Sequence, residues 1–178
     1  MSNRVRVLIA LAAAVTIATA GAALQGSGSA TPTAESRVTW EQRMERVEAA
    51  LASHDLRTVH DAVREAVRDA HATSLRTHAW APLLQAGDAQ QRVEQASGSA
   101  ALGKERARVT YLAALFHARE ARSVDGVLQA ATALANLGDA EMVQHALVVA
   151  RELVGRDPSA RERVDRAATE LRVRVAVR

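Results

Sequence analysis

Residues 124–155 read VDGVLQAATALANLGDAEMVQHALVVARELVG, and this stretch decides the fold. Val127, Leu128, Ala131, Leu134 and Leu137 recur at helical spacing. So do Met142, Val143, Ala146, Leu147, Ala150, Leu153 and Val154. Between the two runs stands Gly138-Asp139. Glycine adopts the left-handed conformation that ends a helix, because it has no Cβ to clash. An aspartate placed next accepts a backbone N–H at the start of the following helix. Gly138 and Asp139 are therefore predicted to form the structural turn of a tight antiparallel helical hairpin.

The same period extends outward in both directions. Trp40, Met44, Val47 and Leu51 step along one helix, and Leu56, Val59, Val63 and Val67 along the next. Ser53-His54-Asp55 supplies capping side chains between them. Leu75, Ala79, Leu83 and Leu84 mark a third element with Pro82 inside it, so it is either bent or starts near Ala81. Val109, Leu112, Leu115 and Phe116 mark a fourth, and Ser123 caps the hairpin above. Asp157-Pro158-Ser159 punctuates before Val164, Ala168, Leu171 and Val175. The last residues, 172–178, also alternate as a strand would, but Leu171 and Val175 continue the helical stripe. The prediction is all-α, with about seven helices arranged as antiparallel hairpins in an irregular α-solenoid or bundle. Residues 96–103, ASGSAALG, read as a loose connection between an N-terminal lobe, 37–95, and a C-terminal lobe, 104–178. Gly98 within it is expected to tolerate alanine.

The Gly-Asp pattern recurs. Leu84-Gln-Ala-Gly-Asp-Ala89 echoes Ala135-Asn-Leu-Gly-Asp-Ala140, and Ala101-Leu-Gly-Lys104 repeats part of it. With Gly138-Asp139, Ala150 and Asp157-Pro158, the segment from Val127 to Pro158 resembles a tetratricopeptide-type helical repeat. That resemblance implies a helical scaffold that binds a peptide or protein in a groove.

Location is read from the first 36 residues. Arg4 and Arg6 precede an unbroken apolar run, Val7 to Leu24, and Ala18-Thr19-Ala20 and Ala20-Gly21-Ala22 each fit a small-x-small cleavage site. These are the parts of a bacterial export signal. Eighteen residues also sit at the short end of the roughly 17–25 that span a bilayer, so an uncleaved membrane anchor is the alternative. Ala, Gly and Thr make up more than half of the run, which favours the cleaved signal. Residues 1–24 are thus signal peptide or anchor, and 25–36 a flexible tether. Either way residues 25–178 lie outside the cytoplasm, in the periplasm or anchored at the inner membrane. The chain has no cysteine, so neither lipid attachment through a thiol nor disulfides are available.

Composition narrows the chemistry. Of the 23 basic residues only Lys104 is a lysine, and basic and acidic side chains are interspersed without a basic stripe, which argues against nucleic acid as a partner. Four aromatics, Trp40, Trp80, Tyr111 and Phe116, leave the core to Ala, Val and Leu. His54, His60, His71 and His78 crowd one region, but no two share the i, i+4 spacing of a helical zinc pair, and Glu-x-x-His is absent. No nucleophile elbow, phosphate loop or dinucleotide fingerprint occurs. No catalytic residue, cofactor or metal is expected. The sequence reads as a non-enzymatic helical interaction or scaffold protein of the bacterial cell envelope, with an unidentified protein or peptide partner. The alternative is a periplasmic metal- or small-ligand-binding protein using the region from His54 to His78. Trp80, Leu83 and Leu84 are the apolar residues nominated for protein contact, against core packing as the other reading.

Overall fold

A reciprocal cap opens the first helix. In the computed structural model, which describes residues 38–53 and 55–176, the Gln42 amide donates to Thr39 Oγ1 at 3.3 Å and the Thr39 amide donates to Gln42 Oε1 at 3.0 Å. This Thr-x-x-Gln box satisfies two N–H groups that a helix start leaves without partners. Seven helices follow: α1, Trp40–Ser53; α2, Leu56–Thr77; α3, Ala81–Ala96; α4, Ala100–Glu120; α5, Val124–Leu137; α6, Ala140–Val154; and α7, Pro158–Ala176. The described residues contain no strand, and the alternating segment near the C-terminus is helical to Ala176. The predicted signal or anchor and the tether lie outside the described residues.

Turns of two or three residues join the helices, which makes sequential helices antiparallel neighbours. Each helix from α1 to α6 packs on the next, and α7 folds back against both α5 and α6. Side chains set most of the boundaries. Asp55 accepts from the Arg57 amide at 3.1 Å, Ser123 from the Gly126 amide at 3.0 Å, and Asp139 from the Met142 amide at 3.2 Å. Asp157 accepts from the Ser159 and Ala160 amides at 2.9 and 3.2 Å. Gly138 is left-handed, with φ of 85°, so the central hairpin turns as the sequence predicts. The third element begins at Ala81 with Pro82 in its first turn, where a missing N–H costs nothing. Leu75, assigned to that element from periodicity, belongs instead to α2, which runs on to a left-handed His78.

The 96–103 connection contracts to residues 97–99, because α4 already starts at Ala100. The core does not divide there. One cluster joins Val47 and Ala50 of α1, Val59, Val63 and Ala66 of α2, and Ala89 and Val93 of α3. The other runs from Ala70, Leu83 and Tyr111 through α5 and α6 to Leu171 of α7. The seam between them therefore cuts across α2 and α3, inside the expected N-terminal lobe. Residues 37–178 form one compact unit.

Two of the three Gly-containing echoes are not turns. Gly87 lies within α3, and a Cβ there would collide with the Tyr111 ring of α4. Gly103 lies within α4, where a Cβ would stand 2.6 Å from Glu94 Cβ of α3. Here glycine serves close helix approach. Local pattern alone cannot separate that role from a helix stop. Gly98 also departs from expectation: its φ is 77°, so alanine there would be strained despite the open space around it.

Candidate interaction surface

The long helix α4 divides its side chains sharply. Its inward face carries Ala107, Tyr111, Ala114, Leu115 and Ala118, all buried. Small residues let α3 and α5 approach closely, and Tyr111 fills the space that Gly87 leaves. The Tyr111 hydroxyl donates to Asp88 Oδ1 at 2.5 Å and accepts from Gln91 Nε2 at 2.7 Å. Burial first, and then the Asp88 carboxylate, push its ionisation well above the ordinary phenol range. Farther along the same interface Thr110 donates to Gln90 at 2.8 Å. The buried Glu94 carboxylate meets Arg106 at 2.5 Å. These bonds satisfy polar groups that the close packing removes from water.

The outward face of α4 is different. Leu102, Val109 and Phe116 stand 46%, 59% and 56% exposed. Intervals of seven residues are about two helical turns, so the three lie above one another. Half-buried Leu112 and Ala113, which also touch the core, stand between Val109 and Phe116, and exposed Glu105 and Arg106 between Leu102 and Val109. Glu105 and Arg119 stand in the same row as Leu112, seven residues to either side of it. Among the described residues neither forms a salt bridge, although Glu105 acts at longer range on Arg108. Periodicity placed Val109 and Phe116 on the core face with Leu112 and Leu115. The available signal was the seven-residue spacing of Leu102, Val109 and Phe116, which is displaced from the Tyr111–Leu115–Ala118 row.

Beneath Phe116 sits a histidine group. The Phe116 and His117 rings are edge-on at 5.4 Å, and His117 faces the His78 ring at 5.9 Å. His117 is 7% exposed and its Nδ1 has no hydrogen-bond partner among the described residues. Burial lowers its affinity for a proton, and the charges of His78 and His71 lower it further, while Glu120 acts in the opposite sense.

The nominated contact residues lie elsewhere. Leu83 is fully buried and Leu84 nearly so, because α3 turns this face into the main core. Trp80 is half-buried and lies over Gly126 at the start of α5. Leu83 and Leu84 are therefore core residues rather than a contact patch, and Trp80 is a packing bridge between two helix starts. Asp139, besides capping α6, is held by Arg108 of α4 at 2.6 Å. The histidine region also disperses. His54 lies outside the described residues. His60 lines a cleft of about 320 Å³ with Arg64, Gln90, Glu94 and Arg106, whereas His78 turns to His117. Among the described residues no group of three or more His, Asp or Glu side chains is arranged to hold a metal ion.

Compared with known proteins, the chain matches no family model, no curated protein and no solved structure.

Proposed function

We propose that the chain is a helical interaction protein of the bacterial cell envelope, without enzymatic activity, that binds a protein through the outward face of α4. The observation that carries this reading is the exposed Leu102–Val109–Phe116 stripe. Apolar surface aligned along one helix loses free energy on leaving water and marks an interaction site more often than scattered apolar residues do. The envelope assignment rests on Arg4, Arg6 and the Val7–Leu24 run, read as an export signal or a single membrane anchor. The tetratricopeptide-type resemblance of Val127 to Pro158 supports the same class of role.

Cross-linking in intact cells tests the surface. Val109→Asp and Phe116→Asp should each abolish the cross-linked protein product and leave the far-ultraviolet circular dichroism unchanged. An unaltered product from both variants would overturn the assignment of this face. Fractionation with N-terminal peptide mapping tests location, and intact cytoplasmic chain would refute export. Thermal melts with zinc, copper or nickel against a chelator address the metal-binding alternative. That alternative gains only if a metal-dependent rise in Tm disappears in His60→Ala or His71→Ala.

A further inference from the structure

We infer that the protein seated on the α4 stripe is a second copy of the same chain, packed antiparallel about Leu112; this deepens the interaction reading above and rests on it. Three observations converge. First, three exposed apolar side chains stand in one row. At 3.6 residues per turn, Leu102, Val109 and Phe116 fall within about 40° of one another around the helix. Second, the charges beside it are complementary under a two-fold axis. Glu105 and Arg119 stand seven residues to either side of Leu112, on the same flank of the stripe. A two-fold axis through Leu112 reverses the helix and preserves the flank. It sets Glu105 of one copy level with Arg119 of the other, twice in each dimer. The same operation sets Val109 level with the other copy's Phe116 to within one residue's rise along the helix axis, about 1.5 Å. Third, among the described residues neither Glu105 nor Arg119 is engaged in a salt bridge within its own chain. A parallel pairing would instead oppose Glu105 to Glu105 and Arg119 to Arg119.

Isologous contact of this kind is the commonest route to a dimer, because one self-complementary patch is used twice. The stripe is short. Stable interfaces cover about 800 Å² on each partner, and a single helix face falls below that. The association is therefore weak and concentration-dependent, and is disrupted by salt to the extent that Glu105 and Arg119 contribute.

The chain has no cysteine, so single thiols report the geometry cleanly. In the full chain, Leu112→Cys lies at the axis and should give a covalent dimer with a short thiol-reactive cross-linker. Leu102→Cys lies about 15 Å from the axis, and hence about 30 Å from its mate, and should not. Both variants share residues 1–37, so association through the N-terminal segment cannot produce the difference. In sedimentation experiments Glu105→Arg and Arg119→Glu should each weaken the dimer at least about fivefold, and the double exchange should restore it. Equal cross-linking at 102 and 112 would overturn the antiparallel arrangement. No cross-linking at 112 would overturn self-association. If that failure came with a Phe116-dependent cross-link to a different protein, the interaction reading would stand and the second copy would fall. If Phe116→Asp changed no cross-linked product of any kind, both would fall.

Discussion

Replacing Gly87 with alanine opposes two effects whose sizes can be worked out. Gly87 lies in the interior of α3, where alanine is intrinsically better than glycine by about 1 kcal/mol. Against that gain, the new methyl would overlap Tyr111, with Cδ1 at 2.8 Å and Cζ at 3.0 Å and a further ring carbon closer still. The ring cannot swing away. It is fully buried, and its hydroxyl is fixed by Asp88 and Gln91. Relief must come from separating α3 and α4, which also disturbs Glu94 against Gly103. Overpacking of this sort costs about 1–3 kcal/mol in well-packed cores, and a ring locked on both edges belongs at the upper end. The expected net loss is about 2 kcal/mol, a large share of the 5–15 kcal/mol that holds a domain together. Urea denaturation followed by circular dichroism at 222 nm measures it. Tyr111→Leu removes the obstructing ring edge, so Gly87→Ala should cost much less in that background. A double-mutant cycle then isolates the coupling. If Gly87→Ala is as stable as the starting protein, α3 and α4 are not packed as described.

The central turn gives a second measurement: Gly138→Val should lose about 2 kcal/mol or more from left-handed strain, and Asp139→Ala about 1 kcal/mol from the lost cap, by urea melts. Gly98→Ala should resemble Gly138→Ala, each losing on the order of 1 kcal/mol, since both glycines have positive φ in open space. His117 should make stability depend on acid. Its pKa in the folded chain is lowered below that of the unfolded chain, chiefly by burial and then by His78 and His71, so the unfolded state binds more protons in the window between the two values. Stability is therefore full above the ordinary histidine pKa of about 6.5 and falls as pH drops below it. Thermal melts between about pH 7.5 and 5 should show a smaller loss for His117→Phe than for the unaltered chain. Gly126→Ala should shift Trp80 fluorescence in a Trp40→Phe background, because the added methyl would meet the Trp80 ring at 2.6 Å.

What could be read from sequence, and what could not, separates along a physical line. Capped boundaries were legible because their cause is local. Ser123, Gly138, Asp139 and Asp157 act within three residues, and each behaves as its chemistry requires. The face of a helix was less legible where residues are small. In α5, leucines and valines mark the core, and periodicity assigns them. In α4 the core is written in alanine, which is apolar on either face, so Val109 and Phe116 outweighed Ala107, Ala114 and Ala118 in the reading and pointed it the wrong way. The same ambiguity governs glycine. Gly87 and Gly138 each precede an aspartate, yet one admits a tyrosine ring from the neighbouring helix and the other reverses the chain. Only knowledge of which helix packs opposite separates them. The exposed stripe follows from this. Alanine and glycine supply most of the contacts of α4 with its neighbours, beside Tyr111 and Leu115, so Leu102, Val109 and Phe116 are left on its outer surface. On α4 the seven-residue row of Leu102, Val109 and Phe116, offset from the buried row of Tyr111, Leu115 and Ala118, is what marks the outward face.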